Sequence, residues 1–145
     1  MKQYIGTKII QAEPKMRKVP AENCLADRGF EDGYKVIYPD GYESWSPKDV
    51  FEAAYRETSG MNFGLAIEAA KKGKKIARAG WNGKNQYVEL GHDFSYIAPG
   101  GIPVRPVQHL DIGSQALVFV GTRGRQVGWL ASQADMLADD WMIVE

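Results

Sequence analysis

The order of apolar and polar positions divides the chain into two successive stretches of regular pattern. "YIGTKIIQA" alternates weakly and predicts a strand, and the polar "KMRKVPAENCLADRGFEDG" predicts a long loop. "GYKVIYPDGYESW" holds two aromatic and β-branched runs joined across Pro39-Asp40-Gly41, a hairpin pattern. "SPKDVFEAAYRE" predicts a helix with Ser46 as N-cap, Pro47 at the first helical position and Asp49 closing a capping box. Its expected buried stripe is Val50, Phe51, Ala54 and Tyr55. The result is a small β-β-β-α module over residues 1–58. The pattern then breaks in "RETSGMNFG", where polar residues and Gly60 precede a restart at Met61.

The second stretch opens with "NFGLAIEAAKKG", a helix capped by Asn62, recurring at Phe63, Ile67 and Ala70, and ended by Gly73. "KKIARAGW" and "QYVEL" predict strands around the hairpin dipeptide Asn82-Gly83. Residues 91–114 are rich in Gly and Pro and too long for an idle loop. "QALVFVG" and "RQVGWL" should pair across Thr122-Arg123-Gly124, "SQADMLA" should form a short helix and "DWMIV" a last strand. Ser132 and Asp135 have capping-box spacing, as Ser46 and Asp49 do; in both, two apolar residues follow the aspartate and an aromatic stands six positions after it. The fold class that results is α+β: a small antiparallel sheet domain with short helices over 61–145, preceded by the β-β-β-α module.

Composition narrows the setting. Hydrophobic residues at 44% and charged residues at 25% are those of a soluble globular chain, without an apolar run long enough to span a bilayer. "MKQYIGTKII" has no signal-peptide pattern, and the single Cys24 fits a reducing compartment, so cytoplasm is the expected location. Basic and acidic residues balance at 18 each, which argues against binding long nucleic acid. The charge is zoned: "KKGKKIAR" is basic, and the tail from Asp135 carries only acids. Zoning without surplus fits a small anionic ligand or self-association.

Catalytic patterns are missing. His92 and His109 lack ligand spacing, and no phosphate-cradling loop or nucleophile motif occurs. Asp139 and Asp140, on a strand, would point to opposite faces. The residues therefore leave an enzyme unsupported and rank it below a binding role, and no metal or cofactor is expected. What remains is a set of flat aromatic faces, Trp81, Tyr87 and Trp129, among the polar Asn82, Ser132, Gln133 and Asp135. Nucleobases stack on such faces for about 1–3 kcal/mol each. Arg78, Lys84 or Arg105 would meet phosphates. The competing reading makes Trp81 and Trp129 core residues beside a hairpin turn, with Trp141 in the core on either reading.

"MNFGLAIEAAKKGKKIARAGWNGKNQYVEL", followed after a loop by "GWLASQADMLADDWMIV", resembles a family of small phage proteins, the second type of Thoeris anti-defence sponge, long catalogued as a domain of unknown function. The resemblance covers about 61–145 and is most specific at "ARAGWNGK" and "WLASQADMLADDW". The first module, chiefly at "GYESWSPKDVFEAAYRE", is similar to a short N-terminal segment of other phage proteins. The family resemblance implies a non-enzymatic protein in the host cell cytoplasm. It would hold a glycocyclic ADP-ribose isomer, made from NAD by a bacterial TIR-domain enzyme, and in some members cyclic dinucleotides. It further implies homotetramers with ligands at subunit interfaces, and ligand contacts at Trp81, Asn82, Trp129, Ser132 and Asp135. The alternatives are a protein-interaction module and an enzyme that cleaves the same nucleotides.

Overall fold

The computed structural model describes residues 1–19, 29–105 and 115–145; Cys24, His109 and the end of the loop expected over 91–114 lie outside the described residues. Fold class is α+β, with antiparallel sheets and few, short helices. The chain forms two compact units, Met1–Arg56 and Glu57–Glu145.

The first unit contains β1 (Gln11–Pro14), β2 (Arg17–Lys18), β3 (Phe30–Glu31), β4 (Gly33–Ile37), β5 (Glu43–Pro47) and α1 (Lys48–Ala54). Its sheet has the order β1-β4-β5, and β2 pairs with β3 inside the stretch expected to be all loop. The strand expected from Tyr4 starts only at Gln11, the first residue to meet a partner, Ile37 on β4. At the β4–β5 turn, Gly41 takes φ +85° and its N–H donates to the Tyr38 carbonyl, as the Pro-Asp-Gly sequence requires.

The capping box expected at Ser46 and Asp49 does not form. The β4–β5 ladder continues until Pro47 stands opposite Gly33, so Ser46 is a strand residue and the helix begins at Lys48 with no side-chain cap. Ladder pairing outweighs the local capping signal. The expected stripe is also narrower: Val50 and Ala54 are exposed, whereas Phe51 is half-buried and stacks between Tyr34 at 4.2 Å and Tyr55 at 5.0 Å.

The second unit runs α2 (Phe63–Lys71), β6 (Lys75–Arg78), β7 (Tyr87–His92), β8 (Tyr96–Ala98), β9 (Ile102–Val104), β10 (Gln115–Gly121), β11 (Gly124–Val127), α3 (Gln133–Met136) and β12 (Trp141–Val144). Five strands form an antiparallel sheet in the order β11-β10-β7-β6-β12, and β8 pairs with β9 in a separate two-stranded sheet. Asn62 caps α2 by accepting from the Leu65 N–H at 2.9 Å. Gly73, at φ +81°, ends it: the Gly73 and Lys74 amides return to the Ala70 and Ala69 carbonyls. Ala66, Ala69 and Ala70 are the buried face, small enough to bring the helix close to Ile76, Val88 and Trp141. Those three side chains are removed from water entirely. Burial of this kind stabilises by about 1.5–3 kcal/mol for each Ile or Val.

Two connections depart from expectation. Asn82-Gly83 is no tight hairpin: β6 ends at Arg78, β7 begins at Tyr87, and the two strands are in register at Ile76 and Val88. Residues 91–105 are not irregular either, because β7 runs on to His92 and β8–β9 form a hairpin with Gly100 and Gly101 both at positive φ. By contrast β10 and β11 pair as expected, with Gly121 opposite Gly124. Residues 58–61 run along β12: Met61 and Trp141 exchange both backbone bonds at 2.8 and 3.0 Å, and the Ile143 N–H donates to the Thr58 carbonyl.

Candidate ligand-binding site

The sheet register places Arg78, the last residue of β6, opposite Trp141, the first of β12. Asp140, one residue earlier, then stands beside the guanidinium, and Arg78 Nε donates to Asp140 Oδ1 at 2.8 Å. Arg78 Nη1 reaches in another direction to Asp135 Oδ1 at 2.9 Å.

Asp135 belongs to α3, whose start is fixed by the capping box that the sequence announces. The Ser132 hydroxyl accepts from the Asp135 N–H at 3.1 Å, and the Ser132 N–H donates to Asp135 Oδ2 at 3.1 Å. The hydroxyl proton also goes to Oδ2, at 2.7 Å. Trp81 Nε1 donates to Oδ1 at 3.1 Å, and Trp141 Nε1 to the Asp135 backbone carbonyl at 2.8 Å. One aspartate thus joins a helix cap, an arginine and two indoles.

Burial pushes the Asp135 carboxyl up. The Ser132 hydroxyl, the Arg78 guanidinium, the Trp81 indole N–H and the Ser132 backbone N–H outweigh it and bring the pKa down to about 2. Asp140 is also held below its ordinary value, first by the hydrogen bond from Arg78 and, against some desolvation, by the Gly80 N–H. Arg78 is raised in return by Asp140 and then Asp135.

The indoles form one cluster. Trp81 meets Trp141 at 5.4 Å, Trp129 at 6.0 Å and Phe119 at 5.8 Å, all edge to face. Trp129 meets Trp141 at 6.2 Å, and Phe63 tilts onto Trp141 at 5.4 Å. Trp141 is wholly buried, as expected, whereas Trp81 and Trp129 are half-buried and reach the surface. Trp129 is set by Gly128, at φ +85°, and by the amides of both residues donating to the Leu117 carbonyl. These two tryptophans thus pack against the core and keep an exposed portion.

Of the residues singled out from the sequence, Arg78, Trp81, Trp129, Ser132 and Asp135 come together here. Asn82 and Lys84 are exposed on the 79–86 connection, and Gln133 is exposed at the first position of α3. Tyr87 is set apart: it precedes the buried Val88 in β7 and so faces the other side of the sheet, where Lys75 Nζ lies 5.1 Å from its ring centre. Arg105 is exposed just after β9. Sequence reasoning missed Asp140 and Phe119, and placed Phe63 on its helix without its contact to Trp141. Asp140 is not on a strand facing away; it closes the network with Arg78, and only the β6–β12 register reveals this. Leu130 and Leu137, flanking α3, are 88% and 77% exposed. Among the described residues no group of His, Cys, Asp and Glu is placed to hold a metal ion, and no helix is long and apolar enough to cross a membrane.

A family model described as a Thoeris anti-defense 2-like domain matches residues 61–144. A protein named Thoeris anti-defense 2, from Bacillus phage SP01, is 33% identical over 85 residues, covering 58% of this chain and 94% of that protein.

Proposed function

The chain belongs to the family of Thoeris anti-defense 2-like domains, and from that premise we propose that it is an anti-defence protein that binds a cyclic nucleotide immune signal and holds it unaltered. A glycocyclic ADP-ribose isomer is the first ligand to consider and a cyclic dinucleotide the second. The observation that supports this reading most is the surface of Trp81 and Trp129. Two half-buried indoles are fixed by tertiary contacts, with exposed Asn82, Lys84, Ser132 and Gln133 on the same two segments. A preformed aromatic surface avoids the cost of ordering side chains on binding. Stacking contributes about 1–3 kcal/mol per base. A stoichiometric trap working below micromolar signal needs about −8 to −12 kcal/mol in all.

Turnover is not part of the proposal. Asp135 and Asp140 are both stabilised in their ionised form, and Asp135, with a pKa of about 2, is a poor acid or base near neutrality. Exposed Leu130 and Leu137 beside α3 favour self-association, proposed here as a homotetramer with ligand at the subunit interfaces.

The test is to incubate the protein with a glycocyclic ADP-ribose isomer or, separately, a cyclic dinucleotide, remove what is unbound, denature by heat and chromatograph the supernatant. Intact ligand, at no more than one per site, is expected. Products in excess of sites would replace a trap with an enzyme. Retention of neither probe would leave a protein-interaction module, the reading that exposed Leu130 and Leu137 would then favour.

A further inference from the structure

The 79–86 connection carries Trp81, Asn82 and Lys84, yet β6 and β7 are in register only at Ile76 and Val88. The ladder therefore does not determine where the connection lies, and some other contact must. Asp140 supplies it. Its Oδ2 accepts from the Gly80 N–H at 2.8 Å, its backbone carbonyl accepts from the Ala79 N–H at 3.1 Å, and its Oδ1 takes Arg78 Nε at 2.8 Å. Consecutive residues at the mouth of the connection are thus bound to one aspartate. Gly80 permits the approach, since a Cβ there would stand 3.0 Å from Asp140 Oδ2.

The same network reaches Trp81 from the other side. Arg78 carries on from Asp140 to Asp135 Oδ1, the oxygen to which the Trp81 indole N–H donates. The Trp81 backbone N–H returns to the Arg78 carbonyl at 3.2 Å, which closes the circuit. Two carboxylates so placed would repel each other without a cation between them. A guanidinium can donate to both at once through different nitrogens, whereas an ammonium is a compact point charge on a flexible stem.

We propose that Asp140 is a positioning residue of the binding surface: acting through Arg78 and the Gly80 amide, it holds Trp81 and the 79–86 connection in the ligand-competent arrangement without itself touching ligand. The inference rests on the nucleotide-binding reading above. Arg78, expected from the sequence to meet phosphate, then has the same internal task. Losing the anchor lowers the fraction of molecules in the competent state, and apparent affinity falls by that fraction. The loss should lie in the association rate, because the bound complex keeps its direct contacts.

The experiment uses the full chain as wild type, Asp140→Ala, Asp140→Asn and Arg78→Lys, with a glycocyclic ADP-ribose isomer as probe. The Trp81 indole N–H resonance, assigned by its absence in Trp81→Phe, is followed without ligand; association and dissociation rates are then measured. In Asp140→Ala the indole signal should move toward the solvent-exposed position, and association should slow by about tenfold at little changed dissociation. Asp140→Asn, which keeps an acceptor for Gly80, should recover most of the rate, and Arg78→Lys should resemble Asp140→Ala. If Asp140→Ala does not fold, Arg78→Lys is judged by the same readouts. An unmoved indole, or a moved indole with unchanged association, overturns the positioning role while leaving nucleotide binding intact. A wild-type protein that fails to bind the probe overturns the functional reading, and this inference with it.

Discussion

Replacing Asp135 by asparagine removes the charge that Arg78 faces and leaves one amide oxygen where a carboxylate now serves Ser132, Arg78 and Trp81. The expected loss of stability is about 1.5–3 kcal/mol, the range for hydrogen bonds to a charged group. Because the folded carboxyl titrates near 2 and an unfolded aspartate near ~3.9, the folded chain binds this proton less readily. The contribution of Asp135 is therefore complete above about pH 4 and is lost as pH falls toward 2. Thermal midpoints of wild type and Asp135→Asn should differ by a constant amount between pH 5 and pH 7, and the gap should narrow below about pH 4. A gap that widens in acid would show that the network does not favour the ionised form. Trp81→Ala should cost about 3 kcal/mol or more by equilibrium denaturation, since it empties the space between Trp129, Trp141 and Phe119. Trp81→Phe should cost less, about 1.5–3 kcal/mol, mainly the bond to the Asp135 carboxylate. At this scale the Ser132–Asp135 box was legible because both partners lie within one helical turn. The partners of Arg78 were not, because they lie 57 and 62 positions away and meet only through sheet register.

Elements follow the sequence where their boundaries are set locally, and depart from it where a neighbour sets them. Both ends of α2 were readable: Asn62 caps one and Gly73 adopts the left-handed conformation at the other. Asn62→Ala should cost about 1 kcal/mol. Gly73→Ala should cost a further ~1–2 kcal/mol, the penalty for a Cβ at positive φ. Chemical denaturation of the single and double variants measures both, and near-additive losses are expected from sites at opposite ends of the helix. Ser46 and Asp49 have the same spacing as Ser132 and Asp135, yet β4 keeps Ser46 in the ladder, so identical local signals give different structures. Asn82-Gly83 failed as a hairpin for a related reason: the backbone before it is tied to Asp140. In the first unit, a Cβ on Gly33 would fall 2.2 Å from the Trp45 ring. Trp45 also donates to the Lys15 carbonyl and lies under the Arg17 guanidinium. That glycine marks a close approach that no pattern of apolar positions announces.

For the whole molecule, a chain comprising Glu57–Glu145 is expected to fold cooperatively by itself, since α2 and the five-stranded sheet enclose a core of their own. Starting at Met61 instead removes the carbonyl of Thr58 that receives the Ile143 N–H. The shorter form should be less stable by about 0.5–1.5 kcal/mol, the net worth of one hydrogen bond, as read by denaturant midpoints. Equal midpoints would show that residues 57–60 add nothing to the sheet. The sequence places the restart of pattern at Met61, but the strap along β12 begins before it, because backbone pairing leaves no trace in side-chain periodicity. This strap also decides where a recombination joint can fall in the chain. A recombination joint placed ahead of Glu57 keeps the backbone bonds that Thr58 and Met61 make to β12. A joint a few residues later would sever the strap with each exchange.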